Sequence, residues 1–146
     1  MSARKARYQL MQALVRGSAS FGVDPDLGQV DFELAELGKC VRLQPLNRQR
    51  LLQVIHASRA LDTCLGSILR GSGIVPKHGI GKMLRQLMTL SPSVRGHLGN
   101  ANVAAFISTI ANKRNRYMHR AGSFPSSTQE VDKLVAEIHS CMSMVL

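Results

Sequence analysis

A long amphipathic segment constrains the fold of this chain more than any other feature. After Pro45, apolar residues recur about every 3.6 positions until Gly71-Ser72-Gly73 ends the pattern. The stripe consists of Leu51, Val54, Ile55, Leu61, Leu65, Ile68 and Leu69. This period predicts one helix from Pro45 to about Arg70 with a buried face. Because strand patterns and repeats are absent from the sequence, that face is expected to pack on other helices.

Shorter helical patterns flank this segment on both sides. They cover Arg4–Arg16, Phe32–Cys40, Ile80–Leu90, Asn100 to about His119, and a last helix capped by Ser126 or Ser127. The stretch Gly17–Gly28 is predicted to be a loop, because glycines and Asp24-Pro25-Asp26 mark turns. The sequence thus predicts an all-α helical bundle of four principal helices plus short extra helices.

Length, apolar runs and cysteine usage limit the class of protein. The 146 residues suit a single domain. Residues 45–146 would form its core bundle, and residues 1–44 would be first helices or an N-terminal extension. No apolar run reaches the length of a membrane span, which predicts a cytoplasmic protein with no membrane partner. The three cysteines and five histidines lack metal-ligand spacing, so neither a metal nor another cofactor is predicted.

The distribution of charge points to a polyanionic partner. Between Leu37 and Gln129 the chain has fourteen Lys or Arg residues and one acid, Asp62. Nucleic acid is the first candidate for such a basic stretch, and an acidic protein or a merely solvated surface is the alternative. Tryptophan is absent and aromatic residues are few. Contacts to phosphate are therefore expected to outweigh base stacking.

The segment Arg114-Asn115-Arg116-Tyr117-Met118-His119 carries the strongest chemical signal. Arginine binds phosphate through two parallel N–H groups, and histidine transfers protons near neutral pH. Asn115 and His119 are four residues apart and share a side of the helix, whereas Arg114 and His119 are about 140° apart. The alternative roles are structural: an ion-pair member for Arg114 and a helix C-cap for His119. Spacing alone favours neither reading.

A helical wheel predicts a partner for Arg114. On an uninterrupted helix, Arg114 falls within the apolar stripe formed by Val103, Phe106, Ile107, Ile110, Tyr117 and Met118. Asp62 falls within the stripe of the long helix. A buried charge is costly unless it is paired. The sequence therefore predicts that Asp62 and Arg114 form an ion pair that orients the guanidinium.

The Arg-Asn-x-x-x-His motif near the end of a penultimate helix, followed by a Gly/Pro turn and a last amphipathic helix, resembles the HEPN family (higher eukaryotes and prokaryotes nucleotide-binding domain). The resemblance covers about Pro45 to Leu146. It implies a homodimeric, metal-independent endoribonuclease of toxin–antitoxin, CRISPR or antiphage systems, or a non-catalytic relative that binds RNA or protein. An antitoxin or regulatory protein would be a further partner.

The resemblance also assigns roles to residues. Arg114 would bind the scissile phosphate, Asn115 would orient the site, and His119 would act as general acid or base. The neighbouring cations Lys113, Arg116 and Arg120 would bind RNA. One departure from the family is Ala121, since many toxins of this type have tyrosine there, two positions after the histidine. Silencing by nucleotide transfer to that tyrosine is not expected.

Overall fold

The fold is built from helices alone. A computed structural model describes residues 2–146, and all regular secondary structure in that range is helical. The helices are α1 (Ala3–Arg16), α2 (Pro25–Lys39), α3 (Leu46–Gly71), α4 (Ile80–Met88), α5 (Asn100–Phe106), α6 (Asn112–His119) and α7 (Thr128–Val145). A 3₁₀ turn (Cys40–Arg42) follows α2, and a π turn (Ile107–Ala111) joins α5 to α6. The predicted all-α helical bundle is confirmed.

Helix α3 is the centre of the bundle. It packs against α2, α4 and α7, and its buried side chains include Val54, Leu61, Leu65 and Leu69. Its bounds agree with the helix predicted from the apolar period. Helix α7 has the expected cap, because the Ser127 hydroxyl accepts a hydrogen bond from the Glu130 amide at 3.1 Å.

The second helix is longer than predicted. It begins at Pro25 instead of Phe32, so the last part of the expected Gly17–Gly28 loop is helical. Asp24 is the N-cap, and its side chain accepts from the Asp26 amide at 2.9 Å. Proline is favoured at the first helical position because its missing N–H would have no partner there. The Asp24-Pro25-Asp26 sequence is therefore a helix start instead of a turn.

The first two helices share the hydrophobic core with the rest of the chain. Tyr8, Met11 and Val15 of α1 are buried, as are Leu27, Val30, Leu34 and Leu37 of α2. These side chains belong to one cluster with those of α3 and α7. Helices α1 and α2 thus pack on α3 and α7 as part of the same core.

The helix predicted from Asn100 to His119 is interrupted by the π turn. Within this turn, the Thr109 hydroxyl donates to the Ala105 carbonyl at 2.9 Å and to Glu137 of α7 at 3.4 Å. A hydroxyl that binds a carbonyl of the preceding turn competes with the backbone ladder and bends the helix. The wider turn places α6, with the whole motif, in a different rotation from that of an unbroken helix.

Candidate functional site

The motif residues lie together on α6, a short helix at the surface. Asn115, Arg116, His119 and Arg120 are exposed, whereas Arg114 is half-buried. Tyr117 faces inward and is 7% exposed. The helix ends at His119, and Arg120 already has an extended backbone with φ −119° and ψ 108°. The polar members of the motif therefore face solvent while the tyrosine anchors the helix.

Arg114 has an incomplete set of hydrogen-bond partners. Its Nη1 donates to Asn115 Oδ1 at 3.1 Å. Its Nε is buried without a partner. A guanidinium has five N–H donors in a fixed fork. The bond to Asn115 holds the end of the side chain, and Nη2, which is neither buried nor hydrogen-bonded, is available to an anion such as phosphate.

None of the cations of α6 is neutralised by a carboxylate. Within the described range 2–146, no ion pair includes Lys113, Arg114, Arg116, His119 or Arg120. Arg114 forms no ion pair in residues 2–146, and His119 makes no hydrogen bond to a helix carbonyl there. His119 nevertheless lies in the last turn of α6, where a cationic side chain interacts favourably with the helix dipole, so this structural role stays open. The end of α6 is a concentrated patch of positive charge, which attracts polyanions.

The predicted ion pair between Asp62 and Arg114 is not formed. The described residues contain no hydrogen bond between these side chains and no charged contact within 4.0 Å. Burial raises the pKa of Asp62 above its usual 3.8, and the nearby charges of Arg114 and His78 only partly offset this. Asp62 instead lines a cavity of about 340 Å³ with Lys77 and His78, between α3 and the loop before α4.

The helical wheel treated Asn100 to His119 as one helix with 3.6 residues per turn. A π turn contains an additional residue, and each inserted residue rotates the following helix by about 100°. Arg114 still lies partly inward, since it is half-buried and its positive charge opposes the rise in the pKa of Asp62. Its Nη1 binds Asn115 on its own helix, and it forms no ion pair with Asp62.

A hydrogen-bonded anchor fixes the end of α6, and the sequence did not reveal it. The Tyr117 hydroxyl donates to the Glu130 carboxylate of α7. The same carboxylate accepts from the Ser126 amide at 3.0 Å and from the Ser126 hydroxyl at 2.6 Å. Glu130 lies three residues after the Ser127 cap, the position of the acid in a capping box. It also ties the last turn of α6 to α7 across the loop that follows His119.

Arg50 is a second residue that sequence reasoning missed. It lies on α3, and its Nη1 donates to the Ser126 carbonyl at 3.4 Å. No ion pair in residues 2–146 includes Arg50, and its Nε is buried without a partner. The bundle thus brings another cation to the loop beside the motif. No local pattern predicts this contact, because 76 positions separate the two residues.

In residues 2–146, no group of three or more His, Cys, Asp or Glu side chains is arranged to hold a metal ion. No helix there combines the length and apolar composition that a membrane crossing requires.

Comparison with known proteins identified no relative. No family model, no curated protein and no solved structure matches the chain.

Proposed function

We propose that this protein is a metal-independent endoribonuclease of the HEPN type that acts as a homodimer. One observation carries the proposal: Arg114 and His119 lie on one exposed helix end among cations that have no carboxylate partner in residues 2–146. Arginine and histidine together supply phosphate binding and proton transfer.

The proposed reaction is attack of a 2′-hydroxyl on the adjacent phosphate. The 2′-oxygen bonds to phosphorus and loses its proton, while the bond from phosphorus to the 5′-oxygen breaks and that oxygen gains a proton. Arg114 stabilises the charge that develops on the phosphate oxygens. His119 takes or gives one of the two protons. The products are a 2′,3′-cyclic phosphate and a 5′-hydroxyl.

A homodimer would bring the two groups to one phosphate. Arg114 and His119 are five residues apart on α6, and positions five apart point in directions about 140° apart. Two α6 ends that face each other across a two-fold axis would place the arginine of one protomer near the histidine of the other. The mass of the protein in solution tests this arrangement, since a monomer that cleaves RNA would contradict it.

The main experiment is cleavage of end-labelled RNA by the purified protein in the presence of EDTA. We expect RNA fragments with cyclic phosphate ends, and no cleavage of DNA of the same sequence, because DNA lacks the nucleophile. His119→Ala should lower the rate by about 10²–10⁴-fold, the usual contribution of a general acid or base. Because His119 is exposed, the variant should fold normally. Equal cleavage by His119→Ala would refute the proposal.

The alternative function is a non-catalytic helical module that binds RNA or a protein such as an antitoxin. The observation that favours it is the missing ion pair, since Arg114 is not held by Asp62 and contacts Asn115 instead. This alternative predicts RNA binding without cleavage, or binding of an acidic protein without RNA affinity. The cleavage experiment therefore distinguishes the two functions.

A further inference from the structure

Two adjoining clefts lie on the surface of α4. The first, of about 570 Å³, is lined by Lys77, Lys82 and Arg85 together with Gln86, Met88 and Thr89. The second, of about 380 Å³, lies between α4, α5, the π turn and the start of α6. Arg85 and Met88 line both clefts. The two clefts therefore adjoin at these side chains, and we refer to them together as the α4 groove.

The groove is positively charged and has no carboxylate in its lining. Lys77, Lys82 and Arg85 form no ion pair within residues 2–146. Their exposed side chains sit on an ordered support, because Gln86 fixes the loop that carries Lys77. Its Oε1 accepts from the Lys77 amide at 2.8 Å, and its Nε2 donates to the Val75 carbonyl at 2.9 Å.

The far end of the groove adjoins the motif helix. Gly81 of α4 lies so close to the π turn that a Cβ atom at this position would be 3.6 Å from Ala111 Cβ. Asn112, the first residue of α6, lines the second cleft. It immediately precedes Lys113 and Arg114 in the chain. A ligand that followed the groove from Lys77 would therefore reach the first turn of α6.

The chemistry of the lining changes along the groove. Lys77 and Lys82 line only the first cleft and Arg85 lines both, whereas the second alone has the amides of Asn100 and Asn112 and the hydroxyl of Ser108. Amides and hydroxyls exchange hydrogen bonds with base edges and with 2′-hydroxyl groups. Met88 and Ile107 supply apolar surface beneath these groups. Phosphates would be bound at one end and a nucleoside at the other, a combination suited to RNA.

We infer that the α4 groove binds a single strand of RNA next to the scissile phosphate and directs it to α6. The identity of the ligand of the groove as RNA rests on the proposed function. Each phosphate of a single strand that a protein cation neutralises adds about −0.7 to the slope of log affinity against log salt concentration. Loss of Lys82 and Arg85 should thus make this slope shallower by about 1.4.

The test is binding of a fluorescent RNA of roughly 12 nucleotides, a length within the range that such grooves accept. All nucleotides carry 2′-O-methyl groups, so the strand cannot be cleaved. Fluorescence anisotropy between roughly 50 and 200 mM salt gives the affinity and its salt dependence. The variant is Lys82→Ser with Arg85→Ser. The matched control is Lys5→Ser with Lys133→Ser, which removes two exposed cations that line neither cleft.

At the lower salt concentration, we expect the α4 variant to bind RNA at least tenfold more weakly than the wild type does. Its affinity should also depend less steeply on salt. The control should bind like the wild type. Equal affinity and slope for all three proteins would overturn the groove assignment. The proposed function would survive that result if wild-type protein still cleaves unmodified RNA in EDTA. If the α4 variant and the control lose RNA affinity equally, binding depends only on the total charge of the protein. That result would also overturn the groove assignment.

Discussion

The hydrogen bond from Tyr117 to Glu130 is the contact through which the bundle positions the candidate site. Tyr117→Phe removes the hydroxyl and leaves the ring in place. A hydrogen bond to a carboxylate contributes about 1.5–3 kcal/mol of net stability. Unfolding entropy of about 2.1 cal/mol/K per residue gives about 0.3 kcal/mol/K for 146 residues. We therefore expect the melting temperature, measured by calorimetry, to fall by about 5–10 °C.

The same substitution should reduce RNA cleavage, because the last turn of α6 would lose its tie to α7 near His119. Tyr8→Phe is the matched control, since Tyr8 is also buried and accepts a hydrogen bond from the buried Gln53 Nε2 at 3.3 Å. Leaving that donor unsatisfied costs about 1–3 kcal/mol, a comparable loss.

Tyr8 lies on α1, which packs on α2 and α7, so we expect normal cleavage by this control at a temperature where both variants are folded. If Tyr117→Phe melts like the wild type, or if both variants lose cleavage equally, the positioning argument is refuted.

Three further predictions concern charge and packing. Arg114→Lys should lower cleavage by about 10²–10³-fold, because an ammonium cannot replace the guanidinium fork; a wild-type rate would show that charge alone is sufficient. The raised pKa of Asp62 means that the folded protein binds the proton more tightly, so stability falls as pH rises above 3.8. Asp62→Asn should therefore stabilise the protein more at neutral pH than in acid, and thermal melts that show the reverse trend would contradict this. Gly96→Ala should cost about 2–5 kcal/mol in urea denaturation, because φ is +95° and the new methyl would collide with Ile68. Gly22→Ala, with φ +85° and open space, should cost only the backbone part, and equal losses would exclude the collision.

The fold class followed from local patterns, but one helix start was misread. The apolar period of α3 and the Ser127 cap of α7 depend on residues within a few positions of each other, so both were predicted correctly. The start of α2 was not, because Asp24-Pro25-Asp26 is compatible with a turn and with a capped helix. The buried apolar face from Leu27 onward favours the helix, and that burial depends on packing against α1 and α3.

The sequence by itself determined that the chain is helical, strongly basic at its centre, and equipped with Arg114, Asn115 and His119 on one helix. Only the tertiary structure decided what surrounds them. The π turn changes the rotation of α6, Arg114 binds Asn115 without forming an ion pair with the nearby Asp62, and the bundle brings Glu130 to Tyr117. The physical reason is range: a helix and its caps depend on neighbours in the chain. The partners of a half-buried charge depend instead on the rotation of each helix and on side chains that packing brings together from distant positions.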